Sequence, residues 1–521
     1  MTDSYLLYRD SSNDGKKPYY SRRDVIKDLN LDIIFRTMAR EDMLILEKVN
    51  KVMMIPLRTR EEIIYRQEIL QDFYSHPDML EEMYECAVRQ YTELQKFKQK
   101  REMNLTRSHS KAGEMIETLA YLTQGQEELI DLTKLLVRYE QRVLSRGLIG
   151  LVHRLKKEPQ EEIGDKLNEL KNFISGGEIG YSFKLGGGMK IDEIRLNYCA
   201  REKRRGPKPV QGTLKNFISN FKKNTMSTSN NAALKDDIHH LTESTMAHIM
   251  KMFHSYLEQM MLFYEHLAEE MAFYRGAVCF MQRMKELSIP LSVPVPCPPV
   301  DDRDGDRMGG ENSDTDEIHV KGLYELSMAI YMQSRPVPND LTLKGNILTL
   351  ITGANQGGKS TFLRSYGIAQ VLMQCGMPVP AEYFSAPVYH QIFTHFTRRE
   401  SEKLDSGRLQ EELKRMSDMV SAVVPNSLFL LNESFASTTE KEGSRIAGAI
   451  LQAFYEKRVT TFMVTHLFQL ANELYEKGQK GISFLTAERQ EDGTRTFKMI
   501  AGKPSYTSYG TDLFAVLERE L

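Results

Sequence analysis

The chain has 521 residues, too many for one ordinary hydrophobic core, so several domains are expected. Hydrophobic residues at 41% and charged residues at 27% exclude wholesale disorder. With 69 Lys+Arg against 71 Asp+Glu, the net charge of -2 excludes a global attraction to nucleic acid or anionic membrane and leaves any such partner to a local patch. Cys86, Cys199, Cys279, Cys297 and Cys375 are scattered without C-x-x-C spacing, which argues against a disulfide framework or zinc knuckle and fits a reducing cytosol. No stretch is apolar and long enough for a signal peptide or a membrane helix, so a cytoplasmic protein without a membrane partner is expected.

Residues 1–29 are polar and are expected as a tail; residues 30–290 read as a helical core and lever region. Leu29, Ile33, Ile34, Met38, Leu44 and Leu46 follow one another mostly at helical spacing. Pro56 opens a turn, and Thr59 stands three residues before Glu62, a capping-box spacing that predicts a new helix start. Helical periods continue over 113–175. Glycines 176, 177 and 186–188 then bracket alternating Tyr181, Phe183 and Leu185, with Ile191, Ile194 and Leu196 following: a small hairpin inserted between helices.

Residues 201–223 carry eight Lys/Arg against the single acid Glu202, and Pro207 and Pro209 make much of the segment loop. Two readings stay open for it, a solvated loop or a surface on which Lys203, Arg204, Arg205, Lys208, Lys222 and Lys223 contact DNA phosphates. Hairpin and basic segment together, about 178–232, form a clamp-like insertion. From about 241 to 287, Met246, Ile249, Phe253, Tyr256, Met260 and Phe263 predict one unbroken helix.

A proline-rich stretch at 290–299 and an acidic loop at 301–317 mark a boundary, with 291–335 as linker and domain entry. Asp302, Asp304 and Asp306 are too incomplete for a calcium loop, since Arg307 and Ser313 stand where glycine and glutamate belong. Over 336–521 strands (347–352, 391–396, 427–431, 460–465) alternate with helices (from 359, 408–423, 442–456), which predicts an α/β domain with a largely parallel sheet. The expected fold is therefore multidomain α and α/β, an all-helical region followed by a P-loop, ABC-like ATPase domain.

The sharpest chemical signal is Gly353, Ala354, Asn355, Gln356, Gly357, Gly358, Lys359, Ser360 and Thr361, which satisfies G-x-x-x-x-G-K-[ST] between an apolar strand and a helix. Glycines let backbone N–H groups close on phosphates, and a helix start adds positive potential. Lys359 is expected to reach the β- and γ-phosphates of ATP, and Ser360 to ligate Mg²⁺. The strand over 427–431 ends in Asn432-Glu433, a metal-shell residue followed by a water-orienting acid, so Glu433 is the general-base candidate and Asn432 and Glu433 join Ser360 as metal candidates. His466, at the end of the next strand, is suitably placed to hydrogen-bond the γ-phosphate or attacking water.

These motifs resemble the ATPase domain of the MutS family of DNA mismatch-repair proteins. Its G-x-N-x-G-G-K-S-T loop stands at Gly353 to Thr361, its N-D pair at Asn339-Asp340 and its V-P-A segment at Val379-Pro380-Ala381. Its S-G-R signature stands at Ser406-Gly407-Arg408, its T-H strand end at Thr465-His466, and its late S-Y-G at Ser508-Tyr509-Gly510. Upstream, Pro56 to Glu68 is similar to the opening of the family's helical core. The resemblance implies that Asn339 lies near the adenine and that Ser406 and Gly407 approach the nucleotide of a neighbouring subunit. The active unit would be a homo- or heterodimer with composite ATP sites, its helices joining the ATPase to a clamp around duplex or branched DNA.

The departures are specific. Asn432 replaces the family's usual Asp, and Ser434-Phe435-Ala436-Ser437 replaces a Gly-rich run, so weaker Mg²⁺ dependence or slower turnover is expected. Phe-x-Glu, the family's mismatch-reading motif, occurs only at Phe263-Tyr264-Glu265 and Phe454-Tyr455-Glu456, both inside predicted helices where packing is its expected role. The few residues before the core and after Tyr509-Gly510 leave no room for a mismatch-reading or Smr nuclease domain, so neither mismatch reading nor DNA cleavage is expected of this chain. Two alternatives remain: a hydrolysis-poor, nucleotide-gated switch or scaffold, and an ABC-type ATPase acting on a protein partner.

Overall fold

The computed structural model describes residues 5–9, 17–104, 111–176, 178–185, 191–199, 232–298, 317–397, 407–490 and 494–505. The basic segment 201–223, the acidic residues 301–316, Ser406 and the segment Ser508 to Gly510 lie outside these described residues. The chain forms two compact units, one of residues 1–4, 78–143 and 148–271, the other of residues 5–77, 144–147 and 272–521.

The first unit is built on long helices: α5 (Pro77–Asn104), α6 (Lys111–Tyr139), α7 (Arg146–Lys157), α8 (Gln160–Gly176) and, up to Met271, α9 (Ala232–Glu286). Four shorter helices precede them in the chain: α1 (Arg22–Asp28), α2 (Leu31–Ala39), α3 (Met43–Met53) and α4 (Arg60–Ser75). Leu119, Leu122 and Leu129 of α6 and Leu257, Met260 and Leu267 of α9 are buried apolar residues of this unit. The two helices come close at Gly125, where a Cβ would lie 2.2 Å from the Met260 sulfur, and the Tyr264 hydroxyl donates to the Gly125 carbonyl at 2.8 Å. The inserted hairpin forms as expected from β1 (Glu178–Leu185) and β2 (Ile191–Cys199), antiparallel with Tyr181 opposite Leu196 and Phe183 opposite Ile194. Phe263 is buried inside α9, a packing residue as its spacing predicts.

The second unit holds two sheets. A six-stranded sheet has the order β12-β11-β6-β10-β9-β8, from β6 (Leu348–Thr352), β8 (Gln391–Phe396), β9 (Ser427–Asn432), β10 (Thr460–Val464), β11 (Ile482–Arg489) and β12 (Arg495–Ala501). All its pairings are parallel except β11 with β12. Alternation along β10 sends successive side chains to opposite faces: Phe462 stacks on Tyr366 of α11 (Lys359–Gln374), while Met463 joins Leu451 and Phe454 of α13 (Glu440–Glu456) and Leu470 of α14 (Phe468–Lys477). The helix α12 (Arg408–Ser421) adds Met416 and Met419 to the same cluster. Phe454, the second Phe-x-Glu match, is therefore also a core residue.

A four-stranded sheet of order β3-β7-β4-β5, from β3 (Val295–Cys297), β4 (Glu317–Leu323), β5 (Asn339–Lys344) and β7 (Tyr383–Pro387), has no counterpart among the expected strands. A seven-residue helix, α10 (Leu326–Met332), lies between β4 and β5 in the chain. Two expected boundaries are corrected here. Residues 5–9 and 17–28 are no tail: Leu6, Leu7, Tyr19 and Val25 are buried, and the Asp28 carbonyl accepts from the Arg364 guanidinium of α11 at 3.1 Å. The 291–335 stretch is no linker either, since it supplies β3 and β4. Helices α2 to α4, expected in an all-helical region, belong to the sheet-bearing unit, as does α1.

The capping expected at the start of α4 is present, with the reciprocal bond displaced to the residue before the cap. Thr59 accepts from the Glu62 amide at 3.2 Å, and the Glu62 carboxylate accepts in return from the Arg58 amide at 3.1 Å. Among the described residues no helix is long and apolar enough to cross a membrane.

Candidate nucleotide-binding site

The candidate site stands where the C-terminal ends of β6, β9 and β10 meet the start of α11. The fully buried β6 runs out at Thr352, and the loop that follows turns back on itself to start α11 at Lys359. Gly353 (φ +114°) and Gly358 (φ +90°) take backbone conformations closed to residues with a side chain, and at Gly353 a Cβ would also lie 3.0 Å from the Ala487 amide of β11. Gln356 turns through φ +59° between them, held by a 2.7 Å hydrogen bond from Arg495 of β12. The first N–H groups of α11 have no partner within the helix and point toward the loop, the arrangement that receives phosphate oxygens.

Lys359 is buried, and its ammonium donates to the Gly353 and Ala354 carbonyls, both at 2.8 Å. Burial lowers its pKa, and the Glu433 carboxylate opposes that shift. The Ser360 hydroxyl donates to the Asn432 side-chain oxygen at 2.7 Å, which brings the two expected metal-shell residues into contact across 72 positions of sequence. Hydroxyl, amide oxygen and the nearby carboxylate are hard oxygen donors, a set that fits Mg²⁺ with its retained waters better than a softer ion. Among the described residues no group of three or more His, Cys, Asp or Glu forms a metal cluster.

Glu433 follows β9 directly, in the left-handed region at φ +56°, with its amide donating to the Val464 carbonyl of β10 at 2.9 Å. This turn aims its carboxylate at His466, whose Nε2 lies 3.1 Å away. The hydrogen bond from His466 lowers the Glu433 pKa, burial works against it, and the charges of His466 and Lys359 add to the lowering. The carboxylate is thus kept ionised at neutral pH. The bond of His466 to Glu433 is not among its expected functions, which are contacts to the γ-phosphate or the attacking water.

Two more of the expected site residues are among those described. Asn339, at the start of β5, is buried, and its amide is engaged at both ends by β12, donating to the Phe497 carbonyl at 3.3 Å and accepting from the Met499 amide at 2.7 Å. Its role in this structure is to tie β5 to β12. That tie holds Phe497, 45% exposed and at φ +59°, beside the loop, with its Cβ 3.5 Å from where a Cβ of Gly358 would be. Gly407 is exposed and caps the start of α12. Phe497 and Arg495 border the site without any local sequence signal, because only the long-range pairing of β12 brings them there.

Residues 349–518 match the family model for MutS domain V, and residues 58–287 match that for the MutS2 N-terminal domain, together the greater part of the chain. The chain belongs to the MutS family. Among its relatives, the DNA mismatch repair protein MutS of Thermus aquaticus is 34% identical over 182 residues, 34% of this chain and 22% of that protein. Endonuclease MutS2 of Gemmatimonas aurantiaca is 29% identical over 182 residues, again 34% of this chain and 22% of the relative. MutS protein homolog 4 of Mus musculus is 28% identical over 159 residues, 30% of this chain and 17% of the relative. The similarity to each of these MutS-family proteins thus spans well under half of its length. The loop, Asn432, Glu433 and His466 all lie inside the domain V match, and the Thr59 capping box lies inside the MutS2 N-terminal match.

Proposed function

We propose that this chain is an ATP-dependent DNA-binding protein of the MutS type, in which ATP binding and hydrolysis at the site above drive clamping on, or release from, duplex or branched DNA. The observation that carries the reading is the convergence of Lys359, the Ser360–Asn432 pair and the Glu433–His466 pair at one end of a parallel sheet. In this reading the loop amides and Lys359 hold the β- and γ-phosphates, and Ser360 and Asn432 hold Mg²⁺, which supplies charge neutralisation for the phosphates. Glu433 orients a water and accepts its proton, and His466 fixes the direction of that carboxylate. The order of a P-loop ATPase domain after a helical region, with the basic 178–232 insertion facing DNA and Ser406 and Gly407 completing a partner's site in a dimer, belongs to the same proposal.

One observation favours a slower variant of it. Asn432 brings no charge to the metal shell, so turnover is expected to be slow and nucleotide occupancy to act as a conformational switch. DNA binding is tested by measuring the affinity of the full chain for a duplex and a four-way junction as salt is raised. If several of the basic residues contact phosphates, affinity falls by roughly 10³-fold or more between about 50 and 200 mM salt, with a different value when ATP is bound. Absence of salt-sensitive affinity for either DNA sinks the DNA part of the proposal and leaves a protein-directed ATPase.

A further inference from the structure

The turn that carries Glu433 is held from β8 as well as from its own strand. Glu433 (φ +56°) and Phe435 (φ +66°) both occupy the left-handed region, where a residue with a side chain persists only when its surroundings hold it. Thr397, immediately after β8, supplies much of that hold. Its amide donates to the Asn432 carbonyl at 3.1 Å, and its hydroxyl is shared between the Asn432 carbonyl at 3.1 Å and the Glu433 carbonyl at 2.8 Å. Two residues earlier on the same strand, buried His395 meets the next residue of the turn. The Ser434 hydroxyl donates to the His395 carbonyl at 3.0 Å, so its single proton is used there, and the 2.7 Å contact with His395 Nδ1 is one in which the ring donates. The end of β8 thus grips residues 432, 433 and 434 in succession.

We infer that Thr397 is a positioning residue for Glu433. By fixing the peptide plane after Glu433, its hydroxyl sets the angle at which the carboxylate leaves the turn, toward His466 and the water it would orient. The inference rests on the hydrolytic reading of Glu433 given above. Of the hydrogen bonds Thr397 makes, the backbone one survives any substitution, so the hydroxyl can be tested alone.

The test compares Thr397→Val, which keeps the shape and removes the hydroxyl, with Thr397→Ser, which restores it. With ATP and Mg²⁺ as the probe, Thr397→Val is expected to lower kcat by about ten- to a hundredfold while KM, ATP affinity and the thermal midpoint stay at wild-type values, and Thr397→Ser is expected to recover most of the rate. A general structural defect would move affinity and midpoint as well, and would not be rescued by Ser. A second readout is independent of turnover: amide hydrogen exchange of a peptide spanning 432–437, which contains the Glu433 amide bonded to Val464 and the Ala436 amide bonded to Glu433. In Thr397→Val these amides exchange faster, and in Thr397→Ser they do not. Unchanged exchange in Thr397→Val overturns the inference, as does a kcat in Thr397→Val equal to that of a wild type that hydrolyses ATP. If the wild type does not hydrolyse ATP, the hydrolytic reading fails by itself, and the exchange result alone decides whether Thr397 sets this turn.

Discussion

Glu433→Gln is expected to lower ATP turnover by about 10²- to 10⁴-fold, the usual contribution of a positioned general base, while ATP binding is retained. The substitution keeps the shape and a hydrogen-bonding oxygen for His466 but removes the only charge able to take a proton from water. Binding survives because the loop amides and Lys359, which hold the phosphates in this account, do not depend on Glu433; Lys359 is anchored on Gly353 and Ala354. The wild-type rate should also have an acid limb below the ordinary carboxylate range. His466 depresses the Glu433 pKa, so the base form persists as pH falls and is lost only beneath the usual value of 4.5. Pre-steady-state hydrolysis and equilibrium ATP binding, measured on the same preparation, check this. A wild-type rate in Glu433→Gln places the base elsewhere.

Arg66→Ala is expected to cost the second unit about 3 to 5 kcal/mol, the range for a large core side chain with its hydrogen bonds removed. Arg66 is fully buried, and the partners recorded for it are carbonyls and rings rather than a carboxylate. Its guanidinium donates twice to the Leu7 carbonyl, at 3.2 and 2.8 Å, and once to the Cys375 carbonyl, at 3.3 Å, and lies over the rings of Tyr8 and Phe273. One side chain of α4 thereby joins the N-terminal segment to the end of α11, whose other end follows the loop 353–358. The same junction is reinforced by the Gln374 amide, which donates to the Leu57 and Tyr389 carbonyls at 3.2 and 2.7 Å. Arg66→Met, which preserves most of the volume, should lose less, because only the hydrogen bonds and ring contacts go. Pulse proteolysis in urea, followed on peptides of the second unit, measures both; a loss below about 1 kcal/mol for Arg66→Ala contradicts this view of the junction.

What was legible in the sequence was local. The loop from Gly353 to Thr361, the strands ending at Asn432 and near His466, the capping at Thr59 and the hairpin all announce themselves within about two dozen residues or fewer, through spacing that backbone geometry requires. The start of α9 at Ala232 was less so: Leu234, Ile238 and Leu241 stand at helical spacing, but Lys235, Asp236, Asp237, His239 and His240 crowd between them and blur the stripe. The second sheet was not legible at all: β3 has only three residues, and β4 and β5 lie among prolines and glycines that read as loop. Helical periodicity also cannot say what a helix packs against, so α2 to α4 looked like the helices of the first unit while belonging to the second. Long-range pairing hid the rest of the site. Asn339 is matched to backbone groups of β12 some 160 residues away, and Thr397 reaches Glu433 only because β8 and β9 lie side by side.

The central claim is that these residues form a working, DNA-coupled ATPase site despite the neutral Asn432. Steady-state ATP hydrolysis with and without duplex DNA, with Lys359→Ala as the control for contaminating activity, tests it most directly. Slow turnover that disappears in Lys359→Ala and changes when DNA is added is the expected result. Wild-type turnover no higher than that of Lys359→Ala would contradict it.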